Sequence, residues 1–137
     1  MKEKKIIVKQ VKMGDRILIE KNLYFDIIWP NKEQILENPL NNNSIVCKLN
    51  YYDFSMLFTG DIEEIAEKKI LREIKHELLE ADVLKVGHHG SKSSSTQQFI
   101  AKVKPKIALI GVGENNKFGH PSDELIERLK TLRCENL

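Results

Sequence analysis

The stretch Ala81-Asp82-Val83-Leu84-Lys85-Val86-Gly87-His88-His89-Gly90-Ser91-Lys92 decides the reading of this chain. A short apolar run with the pattern of a buried strand ends in two adjacent imidazoles bracketed by glycines. Glycines at Gly87 and Gly90 let backbone and ligand approach closely. An isolated histidine is more often a surface or core residue than a ligand. A His-His pair followed by Ser-Lys-Ser-Ser-Ser has little to offer a core, and polar loops at strand ends are where sites are built.

Outward from this loop the chain divides in two. Before it, Lys5 to Val11, Arg16 to Glu20 and Leu23 to Trp29 alternate as strands, with Leu23, Phe25 and Ile27 on one face and Pro30 ending the run. Residues 30–43 change to Asn, Lys, Glu and Pro, which is loop chemistry with a short helical turn expected at Gln34 to Leu36. Ile45 to Asn50 and Ser55 to Thr59 then form a hairpin through Tyr51-Tyr52-Asp53-Phe54.

After Gly60-Asp61 the period changes. Ile62, Ile65, Ala66, Ile70, Ile74 and Leu78 recur at three and four residues, predicting an amphipathic helix of about 17 residues with His76 on its solvent side. A strand at Asp82 to Val86, a helix carrying Phe99, Ile100 and Val103 and stopped by Pro105, and a strand at Lys106 to Val112 follow. Ser122 is placed to cap a last helix, with Asp123 and Glu124 at its positive end and Leu125, Ile126, Leu129 and Leu132 facing inward. Strands first, then helix-strand-helix-strand-helix, predicts an α+β domain with helices packed on one side of a sheet.

Composition sets the limits. The chain has 137 residues and 41% hydrophobic content, enough for one domain spanning residues 1–137 with a real core. Its 22 Lys and Arg against 20 Asp and Glu give no strong field for a polyanion, so such a partner must be gripped locally. Lys2, Lys4, Lys5, Lys9 and Lys12 fit the solvated face of an edge strand better than a phosphate grip. Cys47 and Cys134 have neither disulfide-framework nor zinc-knuckle spacing. With no signal-peptide pattern and no apolar run near the roughly 20 residues that span a bilayer, a soluble, cytoplasmic chain is expected.

Three strand-end loops each present a polar group: Asp61, the His88-His89 pair, and His120 in Gly119-His120-Pro121. If their strands run parallel, the loops emerge at one edge. A carboxylate with neutral imidazoles there suits zinc, manganese or iron(II).

Taken together, Asn43-Ser44, Leu57-Phe58-Thr59-Gly60-Asp61, the segment from Ala81 to Ser91, and Asn116-Lys117-Phe118-Gly119-His120-Pro121 resemble the C-terminal part of the metallo-β-lactamase-like domain of ComEC-type competence proteins. The resemblance runs from about Met13 to the end. It implies an αββα sandwich, here an incomplete C-terminal portion, with a two-metal site between the sheet edges. By the same resemblance the activity is phosphodiester hydrolysis, a DNase acting on one strand during DNA uptake. Asp61 matches the bridging aspartate and His120 the late metal-binding histidine. His88 and His89 match the loop lining the site, where one binds metal and the other contacts phosphate or donates a proton, His88 being the metal candidate and both being candidate catalytic residues. Asn43 and Ser44 match a polar corner. Lys85, Ser91, Lys92 and Ser93 are candidates to hold phosphate oxygens of a single-stranded DNA substrate.

The family's first ligand cluster, His-x-His/Asp-x-Asp-His, has no counterpart among His76, His88, His89 and His120. The resemblance therefore implies a fragment, a truncated product or one piece of a split protein, with a divalent metal (zinc or manganese) held weakly and little nuclease activity alone. It also implies one more strand after the helix ending near Arg133, so the end comes early. Exposed strand faces such as Leu23, Phe25 and Ile27 would be covered by a second copy or by the missing N-terminal half. The family domain is membrane-tethered and faces outward, whereas this chain shows no membrane segment. The alternative is a non-catalytic module that keeps the fold and binds nucleic acid or a channel partner.

Overall fold

A computed structural model describes residues 7–132 and 135–136. One mixed sheet runs through the fold with its seven strands in sequence order. Strands β1 (Arg16–Glu20), β2 (Leu23–Trp29), β3 (Val46–Tyr51) and β4 (Phe54–Phe58) pair antiparallel. Strands β5 (Val83–Lys85), β6 (Ile107–Leu109) and β7 (Glu135–Asn136) then add in parallel. Helix α1 (Pro39–Asn42) is a single turn before β3, while α2 (Glu64–Glu73), α3 (Gln97–Val103) and α4 (Asp123–Thr131) make the crossovers of the parallel half.

The alternation of side chains divides the sheet into two unlike faces. Lys48, Leu57, Leu84 and Ala108 are register partners across β3 to β6 and share one face. On it pack Ala66 and Ile70 of α2, Phe99, Ile100 and Val103 of α3, and Leu125 and Leu129 of α4, in one buried cluster with Trp29 and Val46. Parallel crossovers of one hand put successive helices on the same side. Lys48 is buried with them, donates to the Glu80 carbonyl at 3.4 Å, and has its pKa pushed down by that burial.

The other face carries two apolar rows. Phe25, Leu49, Met56, Val83 and Ile107 form one, and Ile27, Cys47, Phe58, Lys85 and Leu109 the next. Most of these residues are half-buried, and the Phe25 and Phe58 rings lie 6.3 Å apart. Ile27 was expected to be exposed with Leu23 and Phe25, but it is 4% exposed. The turn at Gly14 and Asp15 bonds to both its backbone groups.

Several boundaries differ from the sequence expectation. The Lys5 to Val11 strand does not form over residues 7–11, and Lys5 and Ile6 lie outside the described residues. The long helix stops at Glu73 because Ile74 turns extended (φ −112°, ψ 139°), and a short 3-10 turn at His76–Leu78 follows. That break delivers Ile74 and Leu79 to the core. The expected turn at Gln34 to Leu36 is replaced by α1, where Pro39 stands at the helix start, a position suited to its fixed φ. The strand expected to be lacking after Arg133 is present as β7, two residues paired with β6. Among the described residues no helix is long and apolar enough to cross a membrane.

Candidate active site

β4, β5 and β6 run parallel, so the loops leaving their carboxyl ends share one rim. After β4 the chain turns at Gly60 (φ +55°), where a Cβ would stand 2.7 Å from the Ser44 Cβ. Only glycine admits Ser44 so closely, and Asp61 follows at the rim.

After β5, the Gly87 peptide is clasped from both sides. Its N–H donates to Ser95 Oγ at 3.1 Å and its carbonyl accepts from Ser94 Oγ at 2.8 Å, both serines being fully buried. Ser95 is held in turn by the buried Glu67 carboxylate, which accepts the N–H groups of Ser95 and Thr96. His88 and His89 then both adopt left-handed backbone, φ +46° and +54°. For non-glycine residues this costs on the order of 1–2 kcal/mol each, which the clasp offsets.

That turn sends the two imidazoles in different directions. His89 Nδ1 donates to the Gly111 carbonyl at 2.7 Å, so the proton sits on Nδ1 and Nε2 faces Asp61 Oδ1 at 3.7 Å. His88 Nδ1 lies 3.4 Å from Glu63 Oε1, a contact without hydrogen-bond geometry, and its Nε2 stands 3.5 Å from the Asn41 amide nitrogen. Glu63 also accepts from Asn38 (3.0 Å), Asn42 (3.3 Å) and Ser93 Oγ (3.2 Å).

After β6, the loop to His120 closes on the His-His turn through Gly90 (φ +86°). Ser122 N–H donates to the Gly90 carbonyl at 2.9 Å. The His120 ring meets His88 edge-on with centroids 6.0 Å apart, and its Nδ1 is buried without a hydrogen-bond partner. Asp61, His88, His89 and His120 are thus brought to one rim as two contacting pairs.

The candidate phosphate-holding residues have mixed placements. Lys85 reaches the rim along the open face and donates to the Val86 carbonyl at 2.8 Å. Burial lowers its pKa and the nearby Asp61 charge opposes that. Ser91 and Ser93 bond to each other at 3.0 Å, and Lys92 is exposed. The Asn43 amide is committed to the backbone of Ile35 and Pro39 rather than to the rim. Asn41, two residues earlier, is the one that faces His88. Neither Asn41 nor Glu63 was singled out from the sequence. Glu63 follows Asp61 by two residues in Gly-Asp-Ile-Glu, and its proximity to His88 depends on the turn at His88.

Among the described residues no three His, Cys, Asp or Glu come together as a bound cation requires. Asp61 faces His89, while His88 faces Glu63. The residues present do not by themselves fit a complete zinc or manganese site. What they offer is imidazoles for proton transfer, a carboxylate, and a half-buried ammonium suited to an anion.

No family model matches the chain. It is 35% identical over 129 residues, 94% of its length, to ComE operon protein 3 of Bacillus subtilis, of which it covers 16%. It is 34% identical over 107 residues, 78% of its length, to Recombination protein 2 of Haemophilus influenzae, covering 13% of that protein. Competence protein ComA of Neisseria gonorrhoeae is 27% identical over 106 residues, 77% of this chain and 15% of the relative. The chain therefore spans about a sixth or less of each of these relatives, and its similarity is to competence-related proteins.

Proposed function

We propose that this chain supplies one half of a phosphodiester-hydrolysing site, the C-terminal portion of a metallo-β-lactamase-like αββα sandwich that acts on DNA in competence. The observation that carries this reading is the meeting of Asp61 with His89 at 3.7 Å and of His88 with His120 at 6.0 Å on one rim. Similarity to proteins named for competence and recombination supports the choice of nucleic acid.

In this reading His89, with its proton fixed toward Gly111, offers Nε2 for proton transfer at the rim. Lys85 and Lys92 face the phosphate oxygens of single-stranded DNA. Asp61 and the rim histidines would hold a divalent cation, zinc or manganese, only weakly by themselves, and ligands from outside the described residues would complete its shell. The open sheet face is where a second sheet, supplied by another polypeptide segment or a second copy, completes the sandwich. Phe25, Leu49, Met56 and Phe58 are its contact rows. A strictly monomeric chain in sedimentation would argue against the second copy.

Joined to a segment bearing the His-x-His/Asp-x-Asp-His cluster, the chain is expected to cleave an oligonucleotide with manganese, and Asp61→Ala to abolish cleavage. Cleavage untouched by that change contradicts the proposal. Salt-sensitive DNA binding by a joined protein that never cleaves supports a non-catalytic module instead.

A further inference from the structure

Phe118 is 82% exposed on a loop that is firmly tied. The Asn116 side chain accepts the N–H of Phe118 at 3.2 Å and of His120 at 3.0 Å, and donates to the carbonyls of Gly113 at 3.1 Å and His120 at 2.7 Å. The Phe118 ring stacks on His120, 21° from parallel with centroids 5.9 Å apart. His120 in turn meets His88. An aromatic ring is thus held in water, in line with the histidines of the candidate site, by hydrogen bonds that fix its backbone. The exposed Lys117 precedes it.

We propose that Phe118 is a stacking platform for an unpaired nucleobase, set so that a phosphate next to that base reaches the rim of His88 and His120. This rests on the phosphodiesterase reading and adds the element that recognises the strand. Bases inside a duplex are already stacked on both faces, so a ring at this position selects single strands, and it does so with little sequence preference because every base has a π-face. Packing of Phe118 against another polypeptide is the competing use of the ring, and it predicts no dependence on bases.

The test compares binding of the purified chain to a short oligothymidine and to an abasic strand of equal length, by fluorescence anisotropy at fixed salt. Phe118→Ala is expected to weaken oligothymidine binding roughly 5- to 100-fold and to leave abasic binding unchanged, while Phe118→Trp retains both. Equal affinity of the unaltered chain for the two strands, or equal loss on both in Phe118→Ala, overturns the platform and leaves the phosphodiesterase reading standing. Failure to bind either strand at low salt overturns the platform together with the phosphate-holding roles of Lys85 and Lys92.

Discussion

Gly90 and Pro121 meet so closely that no side chain fits between them. A Cβ on Gly90 would stand 2.8 Å from the Pro121 Cβ and 3.0 Å from its Cα, and Gly90 holds φ +86°. The contact brings the His120 loop onto the His88-His89 turn. Gly90→Ala combines a backbone clash with a conformation unfavourable to alanine, and is expected to cost about 2–4 kcal/mol. Denaturant unfolding checks it, and an unchanged midpoint would contradict the packing.

Ser95→Ala removes the acceptor of the buried Gly87 N–H, at an expected cost of about 1–3 kcal/mol. Gly87 amide exchange should accelerate more than exchange in β3. Lys92→Ala, on the same loop but exposed, should stay within about 0.5 kcal/mol. Equal effects of the two changes would contradict the serine clasp.

Asp82 accepts from Lys106 at 2.8 Å and from the Ser55 N–H and hydroxyl at 2.9 and 3.1 Å. The Lys106 bond first, and the Ser55 bonds with it, hold its carboxyl below the ordinary carboxylate value. Because the folded value lies below the unfolded one, this stabilisation is present above the unfolded pKa. It is lost as pH falls through the folded pKa. Urea unfolding over roughly pH 5 to 2 should show a steeper acid loss for the natural chain than for Asp82→Asn. Parallel profiles would contradict the assignment.

Thr96 and Ser122 cap α3 and α4, each side-chain oxygen accepting the N–H three residues on at 3.3 Å. Alanine at either position is expected to cost about 1 kcal/mol. Chemical denaturation measures it. A stabilising Thr96→Ala would show that the Thr96 hydroxyl is not the cap.

Legibility followed how local each interaction is. The change from alternating Leu23, Phe25 and Ile27 to the spacing of Ala66 and Ile70 marks the switch from hairpins to crossovers, because both periods are properties of single elements. Parallel pairing of β4, β5 and β6 then puts Asp61, the His-His pair and His120 at one end. Which imidazole faces which carboxylate was not legible, since it follows from left-handed backbone at His88 and His89, next to a Gly87 peptide clasped by serines six and seven residues downstream of His88. The Ile74 break was hidden for a related reason: Ile74 keeps the apolar spacing of a helix although its backbone has left it. Asn116 heads a motif visible in the sequence, but its four side-chain hydrogen bonds depend on the folded path of the loop and have no local pattern that marks them.

Manganese titration of the isotopically labelled chain, followed by paramagnetic broadening of its amide signals, addresses most directly whether this rim is half of a cation-assisted site. Weak binding is expected, with broadening confined to residues 60–62, 87–90 and 119–121 and lost in Asp61→Asn. Broadening centred elsewhere, or unchanged by Asp61→Asn, would contradict the assignment of the rim.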